Sequence, residues 1–135
     1  MLQPKKSKYR KQFRTGAKVA SLRGSTLCFG EYGLKSLTGG WLSGNQIESA
    51  RRTITHFTKR GGKVWIRPFP DKPVTSKGLG VGMGAGKGDI KGYVAVITPG
   101  RILFEIAGVP REIGHEALMR ASHKLPFKTR VVSKE

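Results

Sequence analysis

Residues 77–89 read KGLGVGMGAGKGD, with a glycine at every second position over 78–88. A run of this kind offers no side chains to pack on either face of a strand, and its backbone freedom opposes a helix. It therefore reads as a long loop, residues 76–92, with the folded elements on either side of it. Holding such a loop in one shape costs roughly 1–2 kcal/mol per residue in backbone entropy. Something outside the domain has to hold it if it works in one shape.

Glycine loops with a lysine often cradle phosphate, but this one does not make a nucleotide motif. A P-loop needs G-x-x-x-x-G-K-[ST], with the hydroxyl on magnesium. Gly86 and Lys87 supply the centre, yet Val81 stands at the leading glycine and Gly88 at the hydroxyl. The G-x-G-x-x-G windows that start at Gly78, Gly80, Gly82 and Gly84 fail as well, because Met83, Ala85, Lys87 and Asp89 occupy the third-glycine positions. A strand pattern follows the run where a P-loop would continue as a helix. Lys77, Lys87 and Lys91, set among bare backbone N–H groups, instead suit close approach to an RNA backbone.

Charge points the same way. The 135 residues hold 26 Lys and Arg against 8 acids, a formal net charge of +18. Self-repulsion on that scale calls for a polyanionic partner. Nucleic acid leads, with an anionic membrane surface well behind; no apolar run approaches the roughly 20 residues of a membrane span. Residues 1–24 carry Lys5, Lys6, Lys8, Arg10, Lys11, Arg14, Lys18 and Arg23 with no acid, and Tyr9 and Phe13 lie among them. Too few aliphatics occur there for a buried face, so the segment reads as an extended arm that lays charge on phosphates while its rings stack. It lacks the apolar stretch of a secretory signal. Cys28 is the single cysteine, which excludes an internal disulfide and suits a reducing, intracellular setting.

The remainder, residues 25–135, reads as one domain. TLCFGEYGLKSLTGGW suggests two short strands, with Leu27 and Phe29 alternating in the first part and Leu34 and Leu37 in the second. Ser43 and Gln46 have the spacing of a capping box, and Ile47, Ala50, Ile54 and Phe57 form a helical stripe. Gly61 and Gly62 are expected to end that helix after Lys59 and Arg60. Arg51 and Arg52 lie off the stripe or at its margin. GKVWIRPFPDKPVT begins as a strand, and its prolines Pro68, Pro70 and Pro73 are expected to stop ladder pairing. YVAVITPGRILFEIAGV reads as a hairpin turning at Pro99 and Gly100. Pro110 starts a second helix with Ile113, Ala117, Leu118 and Ala121 as its apolar face, and KTRVVS reads as a last strand. The class is α+β, with two helices packed on a mixed or antiparallel sheet.

Catalysis finds no support. The three histidines and eight acids make no metal-ligand spacing and no local acid–base pair. Ser43 lacks the G-x-S-x-G setting of a nucleophile elbow. The expectation is a non-enzyme with no cofactor, no metal and no small-molecule substrate. A DNA-binding architectural protein accounts for the charge equally well and is the alternative.

Several stretches in order resemble the bacterial-type large-subunit ribosomal protein sixteen family: MLQPKKSKYRKQFR, FGEYGLKSL, QIESARRTIT, GKVWIRPFPDKPVT, MGAGKG, PGRILFEIAGV and KLPFKTRVV. The resemblance runs nearly end to end. It implies an α+β protein on large-subunit rRNA at the base of the central protuberance, shaping the aminoacyl-tRNA site near the peptidyl transferase centre. Its partners would be rRNA, A-site and P-site tRNA and neighbouring ribosomal proteins, in the cytoplasm or in a plastid. The candidate rRNA contacts are Lys5, Lys6, Lys8, Tyr9, Arg10, Lys11, Arg14, Arg51, Arg52, Lys59, Arg60, Arg67 and Lys72. The tRNA-facing loop is carried by Lys77, Gly80, Gly82, Met83, Gly84, Gly86, Lys87 and Gly88. Two departures stand out. The family loop is usually RMGKGKG-like, whereas here Gly82 replaces the common arginine and Ala85 a lysine or small residue. Asn45 stands where SGNQIE departs from the commoner TARQIE. A loop with fewer cations is expected to depend more on backbone and shape.

Overall fold

Ser43 caps the first helix as its spacing predicts. Its hydroxyl accepts from the Gln46 N–H at 3.3 Å, and Gln46 Oε1 accepts from the Ser43 N–H at 3.0 Å. In the computed structural model, which describes residues 2–14, 19–20 and 22–134, the elements run β1 (Tyr32–Ser36), β2 (Gly40–Ser43), α1 (Gly44–Phe57), β3 (Lys63–Ile66), β4 (Lys72–Ser76), β5 (Asp89–Ile97), β6 (Ile102–Ala107), α2 (Arg111–Ser122) and β7 (Thr129–Ser133). Ile47, Ala50 and Ile54 on α1 are fully buried with Ala117, Leu118 and Ala121 on α2. The two helices pack on each other, α1 also on β2 and β3 and α2 on β1, and Leu34 of β1 lies in the same core. Each fully buried aliphatic contributes about 1.5–3 kcal/mol, so this seam fixes the domain.

The strands form two antiparallel sheets where one was expected, ordered β3-β6-β1-β7 and β2-β5-β4. The hairpin read across Pro99 and Gly100 is therefore corrected. The turn exists, with Gly100 at φ +89 and the Arg101 N–H donating to the Thr98 carbonyl at 3.3 Å. Its outer bonds go elsewhere: the Gly100 N–H donates to the Ser36 carbonyl and the Ser36 N–H to that of Arg101. The turn is thus stitched to the end of β1, and β5 and β6 part into different sheets.

Three smaller differences have local causes. Leu27 and Phe29 lie in no strand, because the N–H groups of Cys28, Phe29 and Gly30 point at the Glu105 carboxylate and not at a ladder. Pro73 sits inside β4, opposite Tyr93; β4 is an edge strand, where a missing N–H is tolerated. Ile113 is 40% exposed, and Gly114 takes its place in the interface, where a Cβ would lie 3.2 Å from the Tyr32 ring. The last strand falls where KTRVVS predicts it. No helix or strand occurs among the described residues of 2–31, and none in 77–88 between β4 and β5.

Candidate nucleic-acid interface

Helix α1 ends at Phe57, earlier than its two glycines imply. Thr58 closes the last turn with its backbone N–H and hydroxyl, both donating to the Ile54 carbonyl at 3.0 Å. Lys59 and Arg60 then adopt left-handed backbone conformations, φ 53 and 62. Two adjacent non-glycine residues in that region cost about 1–2 kcal/mol each. The turn sets Lys59 and Arg60 beside Arg51, Arg52, Thr55 and His56, around an open cavity of about 630 Å³ with no acid in its lining. These four expected RNA contacts are brought together by one helix and its C-terminal turn.

Glu48 lies one turn back and orients the two arginines without entering the cavity. Arg51 chelates its carboxylate through Nε and Nη2, and Arg52 Nε donates to it at 3.2 Å. The hydrogen bond from Arg51, ahead of the nearby charges, holds Glu48 well below its ordinary 4.5, at about 2. It therefore remains a carboxylate throughout the physiological range. A neighbouring cavity of about 360 Å³ extends the cationic surface onto α2 through Arg120 and Lys124. Arg120 stacks over the Phe57 ring at 4.5 Å and pairs with Glu116 at 3.1 Å. The sequence reading passed over His56, Arg120 and Lys124. The cations at the end of the second helix were the available signal, but only packing of α2 against α1 makes them neighbours of Arg52.

A second cationic region joins the arm to the glycine loop. Lys11 Nζ donates to the Lys87 carbonyl at 3.3 Å, while Lys87 Nζ donates to the Gln12 carbonyl at 2.6 Å. Lys87 also lies 5.8 Å from the Phe13 ring centre, and Arg10 stands 4.0 Å from Asp89. Arg14 lies over Trp41 at 5.3 Å and Lys8 over Tyr9 at 5.6 Å. Within the loop, Lys77 Nζ donates to the Gly82 and Gly84 carbonyls, and Met83 is fully exposed. Gly80, Gly84 and Gly86 have left-handed φ, and a Cβ at any of these or at Gly82 would meet nothing within 4 Å. Gly88 is tighter, since a Cβ there would lie 2.5 Å from the Ser76 carbonyl. Lys5 and Lys6 are exposed, and Lys18 lies outside the described residues.

Arg67 and Lys72 are turned into the protein. Lys72 is 7% exposed within β4. The Arg67 side chain is 18% exposed, and its Nη1 donates to Glu105 Oε2 at 2.7 Å. Glu105 itself is fully buried, in a strand whose residues 102–106 are all buried. Its Oε1 accepts the N–H groups of Cys28, Phe29 and Gly30 at 2.8, 3.0 and 3.1 Å. Burial favours the neutral acid, but those backbone N–H bonds and Arg67 outweigh it and lower the pKa below 4.5. Phe29 stacks on Trp65, with ring centres 6.1 Å apart, and Arg67 lies over Phe29 at 5.4 Å. This cluster ties the segment that leads out of the arm onto the first sheet.

No group of three or more His, Cys, Asp or Glu among the described residues could hold a metal ion, and no helix is long and apolar enough to cross a membrane. The family model described as ribosomal protein L16p/L10e matches residues 4–132. A Macrococcus caseolyticus protein named "Large ribosomal subunit protein uL16" is 56% identical over 135 residues, all of this chain and 94% of the relative. Proteins of the same name from Staphylococcus epidermidis and Staphylococcus carnosus are 55% identical over the same coverage. The chain belongs to the ribosomal protein L16p/L10e family, and it is a structural protein of the large ribosomal subunit and not an enzyme.

Proposed function

We propose that the chain grips large-subunit rRNA with the cavity at the end of α1 and with its arm, and that the clasped arm and glycine loop shape the A site. The observation that carries this reading is the acid-free cavity lined by Arg51, Arg52, Lys59 and Arg60. Helical and turn geometry hold these cations at fixed spacing, which suits a folded phosphate backbone better than a sequence code. Lys5, Lys6, Lys8, Tyr9, Arg10, Lys11 and Arg14 extend the contact along rRNA. The loop, through Lys77, Gly80, Gly82, Met83, Gly84, Gly86, Lys87 and Gly88, faces the A-site tRNA and borders the P-site tRNA. Its bare glycines let the backbone approach the nucleic acid closely. Neighbouring ribosomal proteins complete the setting in the cytoplasmic ribosome.

Sucrose-gradient sedimentation of lysate at rising salt, followed by A-site tRNA footprinting, tests this. Co-migration with large subunits that is lost only at high salt is the expected result. If about ten cations meet phosphates, log K for rRNA fragments falls against log[salt] with a slope of roughly −7 to −9. Migration as a free small protein at low salt, or preference for duplex DNA over folded rRNA at fixed salt, overturns the reading.

A further inference from the structure

Three arginines from distant parts of the chain converge where the arm meets the domain. Arg23 stands at the arm's root, Arg67 just beyond β3, and Arg101 just before β6. With Gly24 and Thr98 they line a cavity of about 300 Å³. The root is fastened beside it, since the Ile102 N–H donates to the Gly24 carbonyl at 2.8 Å. Arg101 is half-buried, and its Nη1 donates to the Val96 carbonyl at 3.2 Å. Desolvation and then the adjacent Arg67 charge work against its protonated form, with Asp71 offsetting part of this. Arg67 is held in place from its other side by Glu105 and the Thr26 carbonyl. Arg67 and Arg101 are partly buried like charges that repel, with the exposed Arg23 adding a third at the rim, and an anion among them lowers that penalty.

We propose that Arg23, Arg67 and Arg101 form a phosphate site that takes one phosphate monoester or diester and pins the root of the arm to the sheet. Guanidinium groups match phosphate oxygens in paired hydrogen bonds, which a lysine cannot reproduce. The bound group would bridge the arm root, the end of β3 and the turn before β6, and so set the direction in which the arm leaves the domain. The proposal rests on the RNA reading only for the source of the phosphate.

The test uses the full chain in two arms. In the first, arginine Nε–Hε resonances are followed by NMR during titration with inorganic phosphate against chloride at constant ionic strength. The Arg23, Arg67 and Arg101 signals are expected to shift together in the wild type, and those of Arg23 and Arg67 to stay in place in R101Q and shift to an intermediate extent in R101K. In the second arm, the salt dependence of rRNA-fragment binding is compared for wild type, R101Q and R23Q. A slope shallower by about 0.7–0.9 in both variants identifies an RNA backbone phosphate. An unchanged slope alongside the phosphate-induced shifts identifies a free phosphate anion. Arg23 is exposed, so R23Q carries the same expectation should R101Q fold poorly. Shifts that persist in both variants, or no shifts together with an unchanged slope, overturn the site. Wild-type protein that binds rRNA without steep salt dependence overturns the RNA reading instead, and the phosphate titration still decides the site.

Discussion

Glu105→Gln keeps the size of the side chain and takes away its charge. The remaining Oε1 can still accept from the N–H groups of Cys28, Phe29 and Gly30, but the new amide nitrogen then faces Arg67 Nη1, donor against donor, where the carboxylate accepted at 2.7 Å. Removing one partner of a buried ion pair costs about 3–5 kcal/mol. Arg67 retains 18% exposure and recovers some hydration, which places the expected loss near the lower end, about 3 kcal/mol. At about 4 °C per kcal/mol for a domain of this length, the midpoint of thermal unfolding falls by about 12 °C. Urea unfolding of wild type, E105Q, R67M and the double variant measures both the loss and the coupling. A coupling below about 0.5 kcal/mol, or a loss under about 1 kcal/mol for E105Q, would refute the view that this pair anchors residues 28–30. Local loosening is a second readout: amides of residues 28–30 should exchange faster in E105Q while those of α1 change only with global stability.

Acid provides an independent check on the same carboxylate. Its folded pKa lies below the ordinary 4.5, so its contribution is fully present above pH 4.5 and is lost as pH falls from there through the folded value; acid titration of unfolding free energy should show wild type converging on E105Q in that window. Gly62→Ala should cost about 2–3 kcal/mol in urea unfolding, because Gly62 has φ +69 and a Cβ there would lie 2.2 Å from the Ala107 carbonyl. Arg60→Gly separates stability from binding: relief of left-handed strain should leave stability unchanged or raise it by up to about 1 kcal/mol, while the rRNA salt slope becomes shallower by about 0.7–0.9. A destabilisation larger than about 1 kcal/mol would contradict the assigned strain. Gly82→Arg meets open space and a permitted backbone, so unfolding should change by less than about 0.5 kcal/mol while RNA protection at the loop strengthens; unchanged protection counts against a role for charge there.

What the sequence disclosed was local, and what it withheld depended on partners far away in the chain. The capping box and the stripe of α1 need only neighbours three and four residues off, so Ser43, Gln46, Ile47, Ala50 and Ile54 were legible. Alternation reports which face of a strand is buried but not which strand lies beside it, so YVAVITPGRILFEI looks the same whether its halves pair or part. The double glycine after α1 misled for a related reason. Gly62 is needed for close approach to the Ala107 carbonyl, and that leaves the left-handed turn to Lys59 and Arg60. Of the candidate contacts, the sequence set Arg51, Arg52, Lys59 and Arg60 on one helix and its end, which is where they meet in the structure. It could not show that Lys72 is buried, since exposure is decided by the sheets.

Acids carry the remaining information. In a chain with 26 Lys and Arg and only 8 acids, carboxylates are too few to neutralise the surface. Among the described residues, four are instead found on particular arginines: Glu48 with Arg51 and Arg52, Glu116 with Arg120, Asp89 with Arg10, and Glu105 with Arg67. The first two pairs are helical neighbours worth little as stability at the surface, yet they restrict where a long, flexible guanidinium can point. An arginine whose rotamers are already narrowed loses less entropy when it meets a phosphate. On the proposed function, Glu48 would serve binding by orienting Arg51 and Arg52 at the mouth of an acid-free cavity, even though its charge opposes an anion. Glu105 applies the same logic to the chain itself. A buried carboxylate fixes both Arg67 and the backbone at residues 28–30, so the segment leading from the basic arm leaves a rigid point on the sheet, the defined origin that the proposed contact of the arm with RNA would need.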